Sequence, residues 1–237
     1  MHKQEIVYQH DECRMKGYVA YDEQTKEKRP AVLVVHDWSG RNEFACQKAE
    51  KFAEMGYVGF AVDMYGDAQL GTTNEEKMAL IEPLMGNRAL LQARMLAALK
   101  QVKQNALVDV TRISVIGFCF GGLCALDLAR TGENIVGAVS FHGLLEKPQE
   151  MQTKKINSKI LVLHGYDDPM VVPEQVNQFA QEMTTARADW QIHMYGNTKH
   201  AFTNPVADDD KLGVKYNAIA DKRSWQAMQN FFNEIFA

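Results

Sequence analysis

Short apolar segments recur along the chain, and each is bounded by polar or glycine-containing sequence. Each segment is apolar throughout instead of alternating apolar and polar residues, as expected for parallel strands that are covered on both faces. The pattern therefore predicts a buried, mostly parallel sheet. Its predicted strands are Ala31–His36, Val58–Val62, Ile113–Gly117, Ile135–Ser140 and Ile160–His164.

Between these strands the apolar residues take helical spacing. In one such segment Leu91, Met95 and Leu99 recur every four residues and would form one buried stripe. The alternation of strands and helices indicates right-handed crossovers and an α/β fold with helices on both faces of the sheet. We expect one domain over residues 1–237, without a large cap domain. The predicted helices are Glu43–Met55, Leu84–Gln104, Gly121–Arg130, Pro173–Thr184 and Ser224–Phe236.

Several short segments predict local structure outside this alternation. Ile6–Tyr8 and Gly17–Tyr21 flank a charged turn and predict an antiparallel hairpin at a sheet edge. Thr73–Glu76 has the spacing of a capping box, which predicts the start of a short helix. Asp208–Lys211 is a run of charges and predicts a solvated loop.

Composition and charge restrict the class of protein. Of the 237 residues, 46% are apolar and 24% are charged, close to the average for soluble globular proteins. A net charge of −4 argues against nucleic acid or an anionic membrane surface as a partner. The polar N-terminus predicts no signal peptide, and no apolar run approaches the roughly 20 residues of a membrane span. Four cysteines are too few for a disulfide scaffold, so we expect reduced thiols and a cytoplasmic protein.

The strongest local motif is Gly117–Gly122, which reads GFCFGG and lies where a predicted strand meets a predicted helix. It matches the G-x-S-x-G nucleophile motif with Cys119 in place of serine. The sharp turn exposes the central side chain, and the helix N-terminus favours a thiolate. The backbone N–H of Phe120, directly after the nucleophile, would stabilise an oxyanion. The alternative is that Cys119 is a small buried apolar residue.

An acid and a histidine follow Cys119 in the chain order that is typical of α/β-hydrolases. Asp168 follows a predicted strand and directly precedes a proline, and His200 lies in the loop after the strand-like segment 189–195. In such a triad the histidine takes the thiol proton, while the carboxylate fixes the imidazole tautomer and stabilises the imidazolium. Asp167 competes for the role of the acid, although its place in the turn favours local backbone hydrogen bonds.

Other strand ends contribute further candidate residues. Asp37 and Trp38 follow the first core strand, where α/β-hydrolases have their second oxyanion amide; Trp38 is the expected donor, and Asp37 would lie near the thiol. His142 ends another core strand and, with Tyr65 and Phe202, is a candidate for lining the pocket. The sequence lacks metal-binding and nucleotide-binding motifs, so no metal and no cofactor is expected.

These motifs together resemble the dienelactone hydrolase family of the α/β-hydrolase fold, over nearly the whole chain. The resemblance implies that Cys119 is the nucleophile, Asp168 the acid and His200 the base. It also implies oxyanion amides from Trp38 and Phe120. The motifs that carry it are HDWSG (36–40), VDMYG (62–66), GFCFGG (117–122), HGYDDPMVVPEQV (164–176) and KHAFTNP (199–205).

The chain also departs from the family's pattern. Family members hold the resting thiol with a glutamate where this chain has the shorter Asp37. They bind a substrate carboxylate with arginines, whereas this chain reads Thr203–Pro205 after the histidine and offers only Lys77 in the stretch 72–82. The resemblance therefore implies hydrolysis of a small ester or lactone through a thioester acyl-enzyme, but not of dienelactone in particular.

Two alternatives to ester hydrolysis remain open from the sequence. The same triad would serve an acyltransferase or a thioesterase, and the same fold would serve a non-catalytic protein that binds small molecules. In each case the expected partner is a small molecule. The oligomeric state is not predicted.

Overall fold

The computed structural model describes residues 1–148, 151 and 155–237 of the chain. Strands and helices alternate along most of the chain, as the apolar pattern predicts. The strands are β1 (His2–His10), β2 (Cys13–Tyr21), β3 (Arg29–Val35), β4 (Val58–Val62), β5 (Val108–Phe118), β6 (Gly137–Phe141), β7 (Lys159–Gly165), β8 (Trp190–Tyr195), β9 (Asp208–Asp209) and β10 (Val214–Lys215). The helices are α1 (Glu43–Glu54), α2 (Asn74–Met85), α3 (Arg88–Val102), α4 (Phe120–Arg130), α5 (Pro173–Thr185) and α6 (Ala218–Ile235).

Contacts between Cα atoms divide the chain into two compact units, Met1–Ile116 and Gly117–Ala237. The expectation that residues 1–237 form a single domain stays a prediction.

In the first unit the strands lie in the order β1-β2-β4-β3-β5. The predicted N-terminal hairpin is confirmed, because β1 and β2 pair antiparallel, and β2 continues antiparallel onto β4. The pairing of β3 with β4 is parallel. Helix α1 packs on β4 so closely that a Cβ at Gly59 would lie 2.0 Å from the carbonyl oxygen of Ala49. Glycine is therefore required at this position of the strand.

In the second unit β6, β7 and β8 are neighbours and pair parallel. Helices α4 and α6 both pack against β6, and α6 also packs against β7. The expectation of an irregular loop at 208–211 needs correction. Asp208 and Asp209 form the short strand β9, which pairs antiparallel with β10. The charged residues of β9 remain accessible to solvent, because this strand is only two residues long and lies at the surface.

The apolar strands are buried, as the sequence predicts. Every residue of β3, β4 and β6 is buried, so both faces of these strands are covered by other parts of the protein. Strand β5 begins at Val108, five residues before the predicted strand at Ile113. Its first half is partly exposed, and the polar residues there hide a strand from a search for apolar runs.

One helix prediction is wrong at its start. The segment Leu84–Gln104 is not one helix, because α2 ends at Met85 and α3 begins at Arg88. The Asn87 side chain accepts a hydrogen bond from Leu90 N–H at 3.0 Å and so caps α3, which begins a separate helix at that point. The predicted capping box is confirmed at the start of α2.

The last helix is also longer than predicted. Helix α6 begins at Ala218 instead of Ser224, because the Asn217 side chain accepts hydrogen bonds from Ile219 and Ala220 N–H. Among the helices that the structure describes, none is long and apolar enough to cross a membrane.

A buried ion pair network ties α4 to α5 in the second unit. The Arg130 guanidinium donates to Asp127 at 3.0 Å, to Glu182 at 2.8 and 3.0 Å, and to the Leu145 carbonyl at 2.9 Å. The side chains of Arg130 and Asp127 are fully buried. Because removal of one partner leaves the other charge buried without compensation, this network should be sensitive to truncation.

We expect Arg130→Met to lower the free energy of unfolding by about 3–5 kcal/mol, because the Asp127 carboxylate would stay buried without its cation. Arg112 is the matched control, since it pairs with Asp109 at 2.7 Å but is 39% exposed. Arg112→Met should cost less than about 1 kcal/mol. Urea unfolding of both variants measures these changes. Equal losses in the free energy of unfolding would contradict the importance of burial for the Arg130 ion pairs.

Candidate active site

Cys119 lies in the sharp turn between β5 and α4. Its backbone has φ 54° and ψ −116°, a conformation that is strained for any residue other than glycine. Two glycines make the turn possible. A Cβ at Gly117 would lie 1.9 Å from the carbonyl oxygen of Gly121, and a Cβ at Gly122 would lie 2.5 Å from the Ser140 hydroxyl. The predicted nucleophile turn is therefore present, with a half-buried thiol at its centre.

The main chain of Cys119 is held from the neighbouring strand. Its N–H donates to the carbonyl oxygen of Phe141 at 3.0 Å and also points to His142 Nδ1 at 3.2 Å. The other ring nitrogen of His142, Nε2, lies 2.8 Å from the hydroxyl of Thr203. His142 is buried, and its backbone is also left-handed, with φ 40°.

The acid and the histidine meet in the second unit. Asp168 Oδ2 lies 2.7 Å from His200 Nδ1, and the two residues are 2% and 1% exposed. The other oxygen of Asp168 accepts a hydrogen bond from Met170 N–H at 2.8 Å. Asp167 is exposed, and its own N–H donates to the carbonyl oxygen of Thr198. Asp168, and not Asp167, is therefore the carboxylate in contact with the histidine.

The electrostatics of His200 favour the protonated ring. Burial lowers its pKa, but the negative charge of Cys119, a hydrogen bond to Asp168 and the interaction of the ring with Cys119 outweigh burial. Together they raise the pKa of His200 from 6.5 to about 10. Its Nε2 is buried and makes no conventional hydrogen bond within the described ranges, so this nitrogen is available for proton transfer. These contacts favour an imidazolium at His200.

Ring contacts join His142 to His200 and to Phe202. The rings of His142 and His200 are 5.2 Å apart in an edge-on contact, and the rings of His142 and Phe202 are 5.1 Å apart. Phe202 is fully buried. Of the predicted pocket residues in the second unit, His142 therefore lies next to His200, and Phe202 lies next to His142. Their contact with a substrate stays a prediction.

A further histidine, His164, lies near Asp168 at the end of β7. It is buried, and burial lowers its pKa despite the nearby charge of Asp168. A neutral His164 leaves the carboxylate to His200.

The remaining predicted site residues belong to the first unit. The Asp37 carboxylate accepts a hydrogen bond from Ser39 N–H at 2.8 Å. The Trp38 carbonyl oxygen accepts from the Tyr65 hydroxyl at 2.9 Å, which fixes the peptide that follows β3. Lys77 Nζ lies 5.2 Å from the Trp38 ring centroid. The roles of Asp37, Trp38 and Tyr65 in catalysis stay predictions.

Sequence reasoning did not assign roles to two residues that organise these loops. Thr203 is the partner of His142, and His36 accepts a hydrogen bond from Met64 N–H through Nε2 at 3.2 Å in the first unit. In each case the sequence offered one signal, a histidine at the end of a predicted strand. Its partner lies too far along the chain for a sequence motif to reveal it. In the part of the chain that the structure describes, no three acidic, histidine or cysteine side chains are grouped as a metal site requires.

Comparison with known proteins identifies the relatives of this chain. The crystal structure of a dienelactone hydrolase-like promiscuous phosphotriesterase from metagenomic libraries matches with a TM-score of 0.95 and 36% identity, covering 100% of this chain and 99% of that chain. An uncharacterized protein of Caenorhabditis elegans is 37% identical over 150 residues, which are 62% of this chain and 95% of that protein. A probable 2-oxo-3-(5-oxofuran-2-ylidene)propanoate lactonase of Bradyrhizobium is 28% identical over 206 residues, 83% of this chain and 80% of the relative.

The strand-to-helix turn at Cys119 and the mostly parallel arrangement of strands with helices define an α/β-hydrolase. Within the described residues no large cap domain interrupts the strands. The sequence matches the dienelactone hydrolase family over residues 15–236, and the chain belongs to that family of hydrolases. The fold and the family that the sequence motifs indicate are confirmed.

The pKa of His200 provides a test of the charges at this site. Cys119→Ala should lower the pKa of His200, because the variant removes the negative charge that most favours the imidazolium. NMR titration of the ring protons measures this pKa, with Asp167→Asn as a control that should leave it unchanged. An unaltered titration in Cys119→Ala would contradict the pairing.

The same shift has a consequence for stability. The pKa of folded His200 lies above its ordinary value of 6.5, so its protonated form stabilises the fold fully below about pH 6.5. This contribution declines as the pH rises through about 10.

Proposed function

We propose that this protein hydrolyses a small ester or lactone with a Cys119–His200–Asp168 triad and a thioester acyl-enzyme. The observation that carries the proposal is the 2.7 Å contact between buried Asp168 and His200, together with the charge of Cys119 that favours the imidazolium. A thiolate is the nucleophilic form of cysteine, and in the proposed mechanism the neighbouring His200 takes the thiol proton.

In the first half of the reaction the Cys119 thiolate attacks the carbonyl carbon of the substrate. The C–S bond forms while the carbonyl electron pair moves to oxygen. We assign the oxyanion to the backbone N–H of Phe120 and, from the sequence, to that of Trp38. The C–O bond then breaks, and protonated His200 gives its Nε2 proton to the departing alkoxide. For a lactone, the resulting alcohol stays attached to the acyl group.

In the second half, water releases the acyl group. Neutral His200 takes a proton from water as the hydroxide oxygen attacks the thioester carbonyl. The C–S bond breaks, the acid leaves, and the thiolate and the imidazolium are restored. Asp168 keeps Nδ1 of His200 protonated throughout, so that Nε2 always faces the reacting atoms.

A role for Asp37 and a reduced thiol complete the proposal. Asp37 would hold the resting thiol in the place of the family's glutamate; within its own unit, its carboxylate accepts a hydrogen bond from Ser39 N–H. A cysteine nucleophile requires a reduced thiol, and none of the four cysteines forms a disulfide within the described part of the chain. A cytoplasmic location fits this requirement and stays part of the proposal.

Membership of the dienelactone hydrolase family and the named lactonase relative support an ester or lactone as the substrate class. A second candidate is phosphotriester hydrolysis, which is favoured by the relative of that description at 36% identity. A panel of ester, lactone, thioester and phosphotriester substrates separates these possibilities. Product partition with an added alcohol or amine separates hydrolysis from acyl transfer.

The nucleophile is tested by Cys119→Ala. We expect kcat/KM for a short p-nitrophenyl ester to fall by about 10³-fold or more, because no attacking group remains. Cys46→Ala is the matched control, since Cys46 is also a half-buried free thiol but is paired with Arg41 in the first unit. It should keep full activity. Unchanged hydrolysis by Cys119→Ala would refute the mechanism.

The acid is tested by comparing two neighbouring aspartates. Asp168→Asn should lower kcat by about 10²-fold or more, because the amide favours the wrong imidazole tautomer. Asp167→Asn changes the same charge one residue away, at an exposed side chain, and should retain activity. Steady-state kinetics measures both, and a larger loss in Asp167→Asn would assign the acid to that residue instead.

A further inference from the structure

We propose that His142 is a positioning residue that joins the main chain of the nucleophile to the segment carrying the base. Its imidazole contacts the Cys119 N–H on one side and the Thr203 hydroxyl on the other. The inference rests on the proposed function, because it treats Cys119 as the nucleophile and His200 as the base. It adds two residues, His142 and Thr203, that the triad does not include.

The first contact determines the tautomer of His142. A backbone N–H only donates, so the Nδ1 atom at 3.2 Å from Cys119 N must carry a lone pair. The proton of the neutral ring then lies on Nε2, which donates to the Thr203 oxygen at 2.8 Å. Each ring nitrogen therefore has a defined partner. No proton-transfer role remains for this histidine, which is why we assign it to positioning.

The contact with Cys119 supports a strained turn. Cys119 at φ 54° and His142 at φ 40° are both left-handed, and such conformations persist where surrounding contacts hold them. The N–H of His142 donates to the carbonyl oxygen of Leu163 at 2.8 Å, so its backbone is anchored on β7. An anchored imidazole that accepts from Cys119 N–H limits how far the nucleophile can rotate.

The second contact reaches the segment of the base. Thr203 lies three residues after His200 and is 1% exposed. The segment is also fixed by main-chain hydrogen bonds, from His200 N–H to Gly213 and from Asn217 N–H to Phe202. One imidazole thus links the positions of the attacking sulfur and the accepting nitrogen, although their side chains come from distant parts of the chain.

The charge of the surroundings agrees with a neutral His142. Its ring lies 5.2 Å, centroid to centroid, from His200, which its neighbours keep protonated. A second positive charge at that distance in a buried site would be unfavourable. A neutral ring also packs against Phe202 without desolvating a charge. His142 therefore supports the imidazolium of His200 and does not compete with it.

The first test removes only the hydroxyl of Thr203. Thr203→Val should lower kcat for a short p-nitrophenyl ester by about tenfold, with KM changed by less than about twofold, because the substrate does not contact the lost group. Thr203→Ser, which keeps the hydroxyl, should retain kcat within about threefold. A fall in kcat that serine does not rescue would overturn the proposal.

Thr198 is the matched control in the same segment. It is also 1% exposed, and its hydroxyl donates to the carbonyl oxygen of Gly196 at 3.1 Å without contacting His142. Thr198→Val should change kcat by less than about twofold even where thermal unfolding shows lost stability. If both valine variants lose kcat in proportion to their stability, Thr203 has only a structural role and the proposal fails.

A double variant tests whether His142 and Thr203 act together. His142→Asn tolerates the left-handed backbone and offers an amide oxygen near the place of Nδ1, but it is too short to reach Thr203. The variant with both His142→Asn and Thr203→Val should be no slower than the slower single variant. Multiplying losses would show two independent effects and would overturn the link.

These outcomes are separate from failure of the proposed function. If Cys119→Ala keeps its activity, the triad is wrong whatever Thr203 does. If Cys119→Ala is inactive while Thr203→Val keeps the kcat of the unaltered protein, the triad stands and the positioning role of His142 is refuted.

Discussion

The left-handed turn at Cys119 is the constraint on which the rest of the second unit depends. A strand that ends at Phe118 and a helix that begins at Phe120 leave one residue to reverse the chain, at φ 54°. The turn closes only because Gly117 and Gly121 approach to a distance that no Cβ would allow. The strained residue carries the thiol, so the conformation that costs free energy is also the one that presents the sulfur at the end of the strand.

The charge state of His200 depends on where that turn places the Cys119 thiol. A buried His200 would ordinarily be neutral, yet its contacts with Cys119 and Asp168 reverse the effect of burial. In contrast, the ring of the neighbouring His142 is neutral, because Nδ1 accepts from the Cys119 N–H and Nε2 donates to the Thr203 hydroxyl. Two adjacent imidazoles therefore differ in charge because their partners differ. The positive charge favoured on His200 lies beside Asp168 and Cys119.

The parts of the fold that depend on local chemistry were predictable. The apolar runs of β3 and β4, the N-terminal hairpin and the capping box at Thr73 follow from neighbouring residues alone. The errors lie where local signals overlap. Asn87 divides a continuous helical pattern because its side chain caps α3, and Asn217 begins α6 before the apolar stripe does. Periodicity detects which face of a helix is buried but not where its first turn begins.

The sequence by itself determined the sharp turn at Cys119 and predicted the chain order of the proposed triad, because glycine spacing and strand ends are local features of the chain. It favoured Asp168 over Asp167 as the acid without excluding Asp167, and only the tertiary structure decided that Asp168 meets His200 while Asp167 faces solvent. The partnership of His142 with Thr203 was also decided there. Those residues lie 61 positions apart, and a hydrogen bond of 2.8 Å between them exists only once β6 and the segment after β8 are packed together.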